Sequence, residues 1–588
     1  MALEVNIHVS RLRRFQPFQP DSAELIYEQT DPNEPSFRVA TLSYLEQLIE
    51  VPETRLIVLT GDAGHGKTSL CARLLEELGR TPAEAAEAVR LLGDASAPAA
   101  YTKAGRPLSL LVDLSALETD PASELLVKLL DSPDDGVAIV CANEGHLRSS
   151  VAADESGRVK VITQTLEAGI EHGTVANADL TVHVINLNYQ SVAPDAAGGL
   201  VDWAVHTWGA DRRRWRACQR CDARAVCPIF ANHQALADDG RGTERQAAFR
   251  HVFSTAELTG AVVTTRQALA LTAHSISGGL VCEDVHKRYR RDDLDRSWQF
   301  PYLYHQALFG DRLTPQKRRQ VPAFQAIRRL DPGRTALRWV DDTLDAETAN
   351  ASFLPPVPSG DEGSPKSRTA AQRESELLRS AIVFLRRLDY FEGTRHNRLS
   401  RLGLESGDEF LAVNKGTREG LVRVRDALLR GLEAVQGVHR AGDSPDFLVL
   451  DPAFFSHRSR AAVIAKRIQG KSVEIVSQNQ QWIATGTLQP HLPLAVEWAS
   501  RSVYVRLPGA DGSVVPVQLD LMRFELLIRW AAGLSSRGQH EAEIRSLTSA
   551  LAALAPNAGV DDDIGVLVGG ERRTLTIDVG DRIRSGGA

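Results

Sequence analysis

An α/β fold built on a parallel sheet, with a helical region after it and an α+β region toward the C-terminal end, is what the sequence predicts. Three observations carry that expectation. First, the apolar run Leu56, Ile57, Val58, Leu59 passes into a glycine-rich turn and then a helical run, LIVLTGDAGHGKTSLCARLL over 56–75. Second, three more buried-strand runs end in polar residues: PLSLLVDLSAL (107–117) at Asp113, GVAIVCANEGHL (136–147) at Asn143 and Glu144, and LTVHVINLNYQ (180–190). Third, helical patterns separate these runs, and strands alternating with helices make a three-layer domain whose ligand edge lies at the strand C-termini.

Taken in order, residues 1–50 read as a lead-in that closes in a helix near 43–50, the position such a helix often takes in AAA+-like modules. Residues 51–198 hold the sheet, with a second helical pattern over 82–92. Residues 199–345 read as a helical lid interrupted by a cysteine-bearing segment. The stretch NASFLPPVPSGDEGSPKSRTA (350–370) is rich in Pro, Ser and Gly, so 346–371 is assigned as a linker. A C-terminal α+β domain then fills 372–588. It opens on the amphipathic helix SELLRSAIVFLRRLDYF, continues with a helix near 417–436, strands near 446–450, 472–477 and 502–516, and helices near 518–533 and 540–555, and ends in a hairpin, GVLVGGERRTLTIDV.

The glycine turn fits G-x-x-x-x-G-K-[ST] at Gly61, Gly66, Lys67 and Thr68. That pattern predicts a P-loop NTPase core holding ATP and Mg²⁺. Glycines at 61, 64 and 66 free the backbone of Gly61, Asp62, Ala63, Gly64, His65 and Gly66 to point N–H groups inward, and Lys67, Thr68 and Ser69 open the helix whose positive end faces the same anion. Lys67 reaches the β- and γ-phosphates, and Thr68 holds Mg²⁺. Asp113 stands where an acid at the end of a neighbouring strand holds Mg²⁺ through water, or caps the next helix. Many AAA+ ATPases place Glu directly after this Asp; here Leu114 and Ser115 follow, so Glu144 is the candidate base and Asn143 the group that orients water. The competing reading makes Asn143 and Glu144 a helix cap and a first-turn acid. Arg266, near a helix start in the lid, is the candidate sensor arginine, or simply an exposed one.

The segment WRACQRCDARAVCPIFANH spaces Cys218, Cys221 and Cys227 as C-x₂-C-x₅-C. Close thiolates suit Zn²⁺ or a [4Fe–4S] cluster, with His233 the nearest candidate fourth ligand and Cys282 a distant one; buried free thiols are the alternative. Arg212, Arg213, Arg214, Arg216, Arg220 and Arg224 interleave with Trp208 and Trp215, and HKRYRR (286–291) and QKRR (316–319) follow. Arginines that pair phosphates beside rings that stack on bases suit DNA or RNA, against the plainer reading of a solvated helix face.

Composition limits the classes. The chain has 588 residues, 43% hydrophobic and 24% charged, with six cysteines and a net charge of −7. These are ordinary globular values, too cysteine-poor for a disulfide framework. No apolar run is long enough to span a membrane and the N-terminus lacks a signal-peptide core, so a cytoplasmic protein is expected. Residues 201–330 carry 21 Lys/Arg against 13 Asp/Glu, so any nucleic-acid contact is expected to be regional. A small-molecule kinase would leave most of this length idle.

The set TGDAGHGKTSLC, LLVDLS, AIVCANEGHL, CQRCDARAVCPIFANHQAL and VQLDLMRFELLIRWAAG resembles the DptF-like ATP-binding proteins of phosphorothioation-dependent DNA restriction, a form of bacterial phage defence. The resemblance runs loosely over 40–300 and returns near 516–533. It implies an ATP-hydrolysing member of a multi-protein system whose other subunits, a nuclease or helicase among them, sense or cut DNA; a homo-oligomer is compatible with it. The alternative is a nucleotide-dependent switch or scaffold that hydrolyses little and recruits a nuclease through residues 371–588.

Overall fold

The computed structural model describes residues 3–19, 37–93, 97–103, 105–131, 136–194, 198–291, 296–341, 370–393, 398–414, 421–438, 446–455, 461–485, 501–509, 512–534, 540–554, 563–569, 571–578 and 582–587. Of the linker expected over 346–371, residues 346–369 lie outside them. The chain divides into two compact units, one of Met1–Glu257, Ala261–Gly403 and Thr485–Ala499, the other of Leu258–Gly260, Leu404–Ala484 and Ser500–Ala588.

The first unit is α/β. Its sheet contains β1 (Leu56–Thr60), β2 (Ala99–Lys103), β3 (Arg106–Leu111), β4 (Val137–Cys141) and β5 (Val182–Asn186), in the order β2-β3-β4-β1-β5. All neighbours run parallel except β2 and β3, which form an antiparallel edge hairpin. β1, β4 and β5 are buried at every position, as continuous apolar runs require when helices cover both faces. On one face Leu56, Val58, Val140 and Val184 pack with Leu126, Leu147 and Ile162 from the helices Thr119–Leu130, Glu144–Ala152 and Lys160–His172. Each such fully buried aliphatic side chain contributes about 1.5–3 kcal/mol of transfer free energy. Strand β2, AAYTK, alternates between half-buried and exposed and carries little β-branched character, so the sequence gives no clear sign of it.

The described residues of 199–341 are mostly helical and, apart from Leu258–Gly260, belong to this same unit. So does the helix Ala370–Glu392, expected to open the C-terminal domain. Its charged stripe explains the placement. Arg387 is buried and donates to both carboxylate oxygens of Asp331 at 2.8 and 2.6 Å and pairs with Asp311 at 2.6 Å, while Arg386 holds Asp341 at 2.8 and 2.6 Å. A buried guanidinium needs such partners, and these aspartates lie in 311–341.

The second unit contains two antiparallel sheets. One has the order β10-β9-β8, from β8 (Glu474–Ser477), β9 (Val503–Pro508) and β10 (Val514–Leu519). The other is β13-β12-β11-β7-β6, from β6 (Asp446–Leu450), β7 (Ala461–Gln469), β11 (Asp563–Val568), β12 (Glu571–Asp578) and β13 (Arg582–Gly587). The single strand expected over 502–516 is the β9–β10 hairpin, and β7 was not expected. The helix Leu421–Gln436 covers the free edge of β6: Glu433 accepts from Leu448 N–H at 2.7 Å, and Gln436 accepts from Leu450 N–H at 2.8 Å. The unpaired strand edge is thereby satisfied. The same helix meets Leu521–Ala531 at Gly431, where a Cβ would lie 2.3 Å from the Leu527 carbonyl. Among the described residues no helix is long and apolar enough to cross a membrane.

Candidate functional site

Strand β1 ends at Thr60, in register with Asn186 of β5, and the glycine turn leaves from the central part of the sheet edge. Gly61, Gly64 and Gly66 have φ of 130°, 97° and 89°, a region that side chains with a Cβ enter only under strain. Packing adds a second constraint at Gly64. A Cβ there would lie 3.1 Å from both Thr264 Oγ1 and Arg266 Cβ, because the Gly64 carbonyl accepts from Arg266 N–H at 2.9 Å. Asn188, just beyond β5, accepts from Asp62 N–H at 2.9 Å and fixes the first turn of the loop.

The helix Lys67–Glu77 starts directly from Gly66, and its first hydrogen bond runs from Leu70 N–H to the Gly66 carbonyl at 2.8 Å. The N–H groups of Lys67, Thr68 and Ser69 therefore fall outside the intrahelical ladder, at the positive end of the helix dipole. Lys67 folds back across the loop. Its Nζ donates to the carbonyls of Gly61 at 2.6 Å and Asp62 at 3.2 Å, and to Asn143 Oδ1 at 3.1 Å. Burial lowers the pKa of this ammonium, against the opposing influence of Cys141, Asp113 and Asp62.

A cavity of about 310 Å³ opens over the loop. Its polar side gathers the loop from Ala63 through Ser69 with Asp113, Asn143, Gln190, Thr265 and Arg266; its apolar side is Phe37, Val39, Leu42, Leu200, Trp203 and Leu269. Phe37 and Trp203 have ring centroids 6.0 Å apart. Lys67, Thr68, Asp113, Asn143 and Arg266 are thus brought to one cavity from four separate stretches of chain. Asp113 also caps the short helix Leu114–Ala116, its Oδ1 accepting from the Ser115 backbone at 2.9 Å and hydroxyl at 2.5 Å, so the capping role is present in a residue that also lines the cavity.

Glu144 does not line the cavity. It occupies the first position of Glu144–Ala152, and its carboxylate accepts from Arg148 Nε at 3.0 Å one turn on. The i, i+4 spacing captures the side chain on its own helix. Asn143 alone of that pair faces Lys67.

The cysteine segment differs from expectation in two ways. Cys218 and Cys282 are linked through Asn6, whose side-chain and backbone N–H groups lie 3.3 and 3.4 Å from the two sulfurs, while Cys221 lies 3.5 Å from His286 Nε2 and Cys227 caps the helix Pro228–Leu236. His233 is directed elsewhere: its Nδ1 bonds the Gly209 carbonyl at 2.7 Å and its ring stacks on Trp215. Among the described residues no three His, Cys, Asp or Glu side chains group closely enough to hold a metal ion, so the expected set of Cys218, Cys221, Cys227 and His233 is not assembled. The tryptophans are also inward. Trp208 and Trp215 are 3% and 0% exposed, and the Trp215 indole donates to the Trp208 carbonyl at 3.0 Å, which removes both as stacking surfaces. Of the arginines, Arg212 pairs with Asp239, Arg213 and Arg214 with Asp211, and Arg220 with Glu4.

Sequence reasoning missed Asn188 and Gln190, although their place just beyond a parallel strand at the ligand edge was a usable signal. It also missed the apolar wall. Phe37 and Trp203 lie 166 positions apart and no local pattern joins them. Comparison with known proteins returns no matching family model, no matching curated protein and no matching solved structure.

Proposed function

We propose that the cavity over the glycine loop is a P-loop site that binds ATP with Mg²⁺ and supports its hydrolysis. The observation that carries this reading is Lys67. Its ammonium rests on two loop carbonyls and Asn143, beside three N–H groups at a helix start, an arrangement that exchanges weak neutral acceptors for phosphate oxygens when an anion enters. The donor set fits the ligand: loop and helix N–H groups for the phosphates, the Thr68 hydroxyl and Asp113 carboxylate for Mg²⁺, and Phe37 with Trp203 for the base. Mg²⁺ would supply charge neutralisation between the phosphates. Arg266, tied to Gly64 through its backbone, would act on the terminal phosphate.

One observation favours slow turnover. Asp113 is the one carboxylate among the described residues that line the cavity, since Glu144 is held by Arg148. Without a second acid to polarise water, the nucleotide-dependent switch is the stronger form of the reading. The further step, to a component of a bacterial DNA-defence system working with DNA and a nuclease or helicase subunit, rests on the motif resemblance. Titration of ATP–Mg²⁺ into the wild-type protein and Lys67→Ala tests the site: binding by the first and about 100-fold weaker binding by the second is expected, the scale of a lost charge-assisted contact. Equal affinities would remove the assignment.

A further inference from the structure

Residues 315–334 form a second cavity, of about 380 Å³, in the first unit. Five of its seven lining residues are arginines: Arg318, Arg319, Arg328, Arg329 and Arg334. Three of these are fixed by the fold. Arg318 donates to the carbonyls of Gly310, at 3.1 Å, and Leu313; Arg328 donates to the Phe309 carbonyl at 2.8 Å and to Asp311; Arg334 lies 3.7 Å from Asp331. Both aspartates are shared with the buried Arg387, so three guanidinium groups, those of Arg328, Arg334 and Arg387, share two carboxylates. Arg319 and Arg329 are exposed and make no hydrogen bond or ion pair among the described residues. The turn that Arg318 clamps also carries Arg312, whose guanidinium lies over the Tyr302 ring, 5.2 Å from its centroid.

Like charges crowded this way repel; burial first, then Arg328 and Arg334 against the opposing Asp311, lower the pKa of Arg318. A fold that spends its aspartates on Arg387 and leaves an excess of guanidinium groups around a cavity is arranged for an outside anion. The number of arginines, and their continuation onto Arg312, exceeds what one phosphate needs and matches successive phosphates of a strand. In the segment 212–224, by contrast, four arginines are paired with carboxylates: Arg212 with Asp239, Arg213 and Arg214 with Asp211, and Arg220 with Glu4.

We propose that the arginine cavity at 315–334 binds the phosphodiester backbone of a nucleic acid, with Arg319 and Arg329 at its rim making the contacts that the folded chain leaves open. This deepens the DNA part of the proposed function and rests on that part alone, not on the ATP site.

The test is fluorescence anisotropy with labelled single-stranded and duplex DNA, without nucleotide, across a salt series. Arg319→Gln combined with Arg329→Gln is expected to weaken binding about 10-fold and to flatten the salt dependence by about 0.7 per lost contact on a single strand. Lysine at both positions should restore much of both. Lys67→Ala should leave the binding unchanged, which separates this proposal from the nucleotide site. Thermal melting of the glutamine variant should match wild type, since neither side chain holds a partner among the described residues. Wild-type affinity and salt slope in the glutamine variant would overturn the proposal, as would equal loss on replacing Arg212 and Arg213. A protein that binds inorganic polyphosphate there but neither form of DNA would overturn it too.

Discussion

The glycine loop at 61–66 and the segment at 212–233 both concentrate unusual residues, yet they spend their polar groups in opposite directions. The loop turns backbone N–H groups, Lys67 and Thr68 toward a cavity shared with Asp113, Asn143 and Arg266. The segment turns inward, with tryptophans buried, His233 stacked on Trp215, and four arginines paired with Asp211, Asp239 and Glu4. Density of reactive residue types is therefore a poor guide to a site. What distinguishes the loop is that its polar groups line a cavity, and the arginines at 315–334 line another.

The contrast can be sharpened or broken by substitution. The largest effect should come from Lys67→Ala, with the loss of ATP affinity given above, while changes at Cys221 or His233 leave ATP affinity intact. Asp113→Asn should next reduce Mg²⁺-dependent hydrolysis by about 10- to 100-fold while weakening nucleotide binding much less, because its charge acts through the metal. Single-turnover rates beside binding titrations separate the two; equal losses would mean that Asp113 serves the fold as the cap of Leu114–Ala116. Gly64→Ala should lower stability by about 1–2 kcal/mol through its left-handed backbone, and it also crowds Thr264 and Arg266. An unchanged melting temperature would show that the loop is not pinned by that helix start.

Smaller effects are expected where side chains already have partners. Glu144→Gln should change single-turnover hydrolysis by less than about 3-fold and cost only about 0.3–0.5 kcal/mol of stability, the value of an exposed i, i+4 pair. A slowing of about 100-fold would return Glu144 to the role of base. Smallest of all, Arg212→Gln with Arg213→Gln should alter DNA affinity by less than about 2-fold, since their charges already meet Asp239 and Asp211.

How far the sequence could be read follows from the range of the interactions. The loop is local: strand, three glycines and helix start lie within 20 residues, and the torsions they require are encoded on the spot. The parallel strands were legible for the same reason, as uninterrupted apolar runs. The role of Glu144 was not, because its fate depends on Arg148 one turn ahead competing with a cavity formed by distant chain. The apolar wall joins Phe37 to Trp203, and the helix Ala370–Glu392 joins the first unit through Arg387 and two aspartates far upstream; neither pairing leaves a periodic trace. The arginine cavity lies between these cases. QKRR was visible, but its convergence with Arg328, Arg329 and Arg334 required the turn between two helices.

If the loop is a nucleotide site, Lys67 exchanges its loop carbonyls for phosphate oxygens when ATP binds. A crystal structure with a non-hydrolysable ATP analogue and Mg²⁺ tests it most directly. The expected result is the analogue's phosphates within the loop, Lys67 Nζ moved from the Gly61 carbonyl onto β- and γ-phosphate oxygens, and Thr68 and Asp113 facing the metal. An analogue bound elsewhere, or Lys67 still resting on Gly61 and Asn143 beside a bound phosphate, would contradict it.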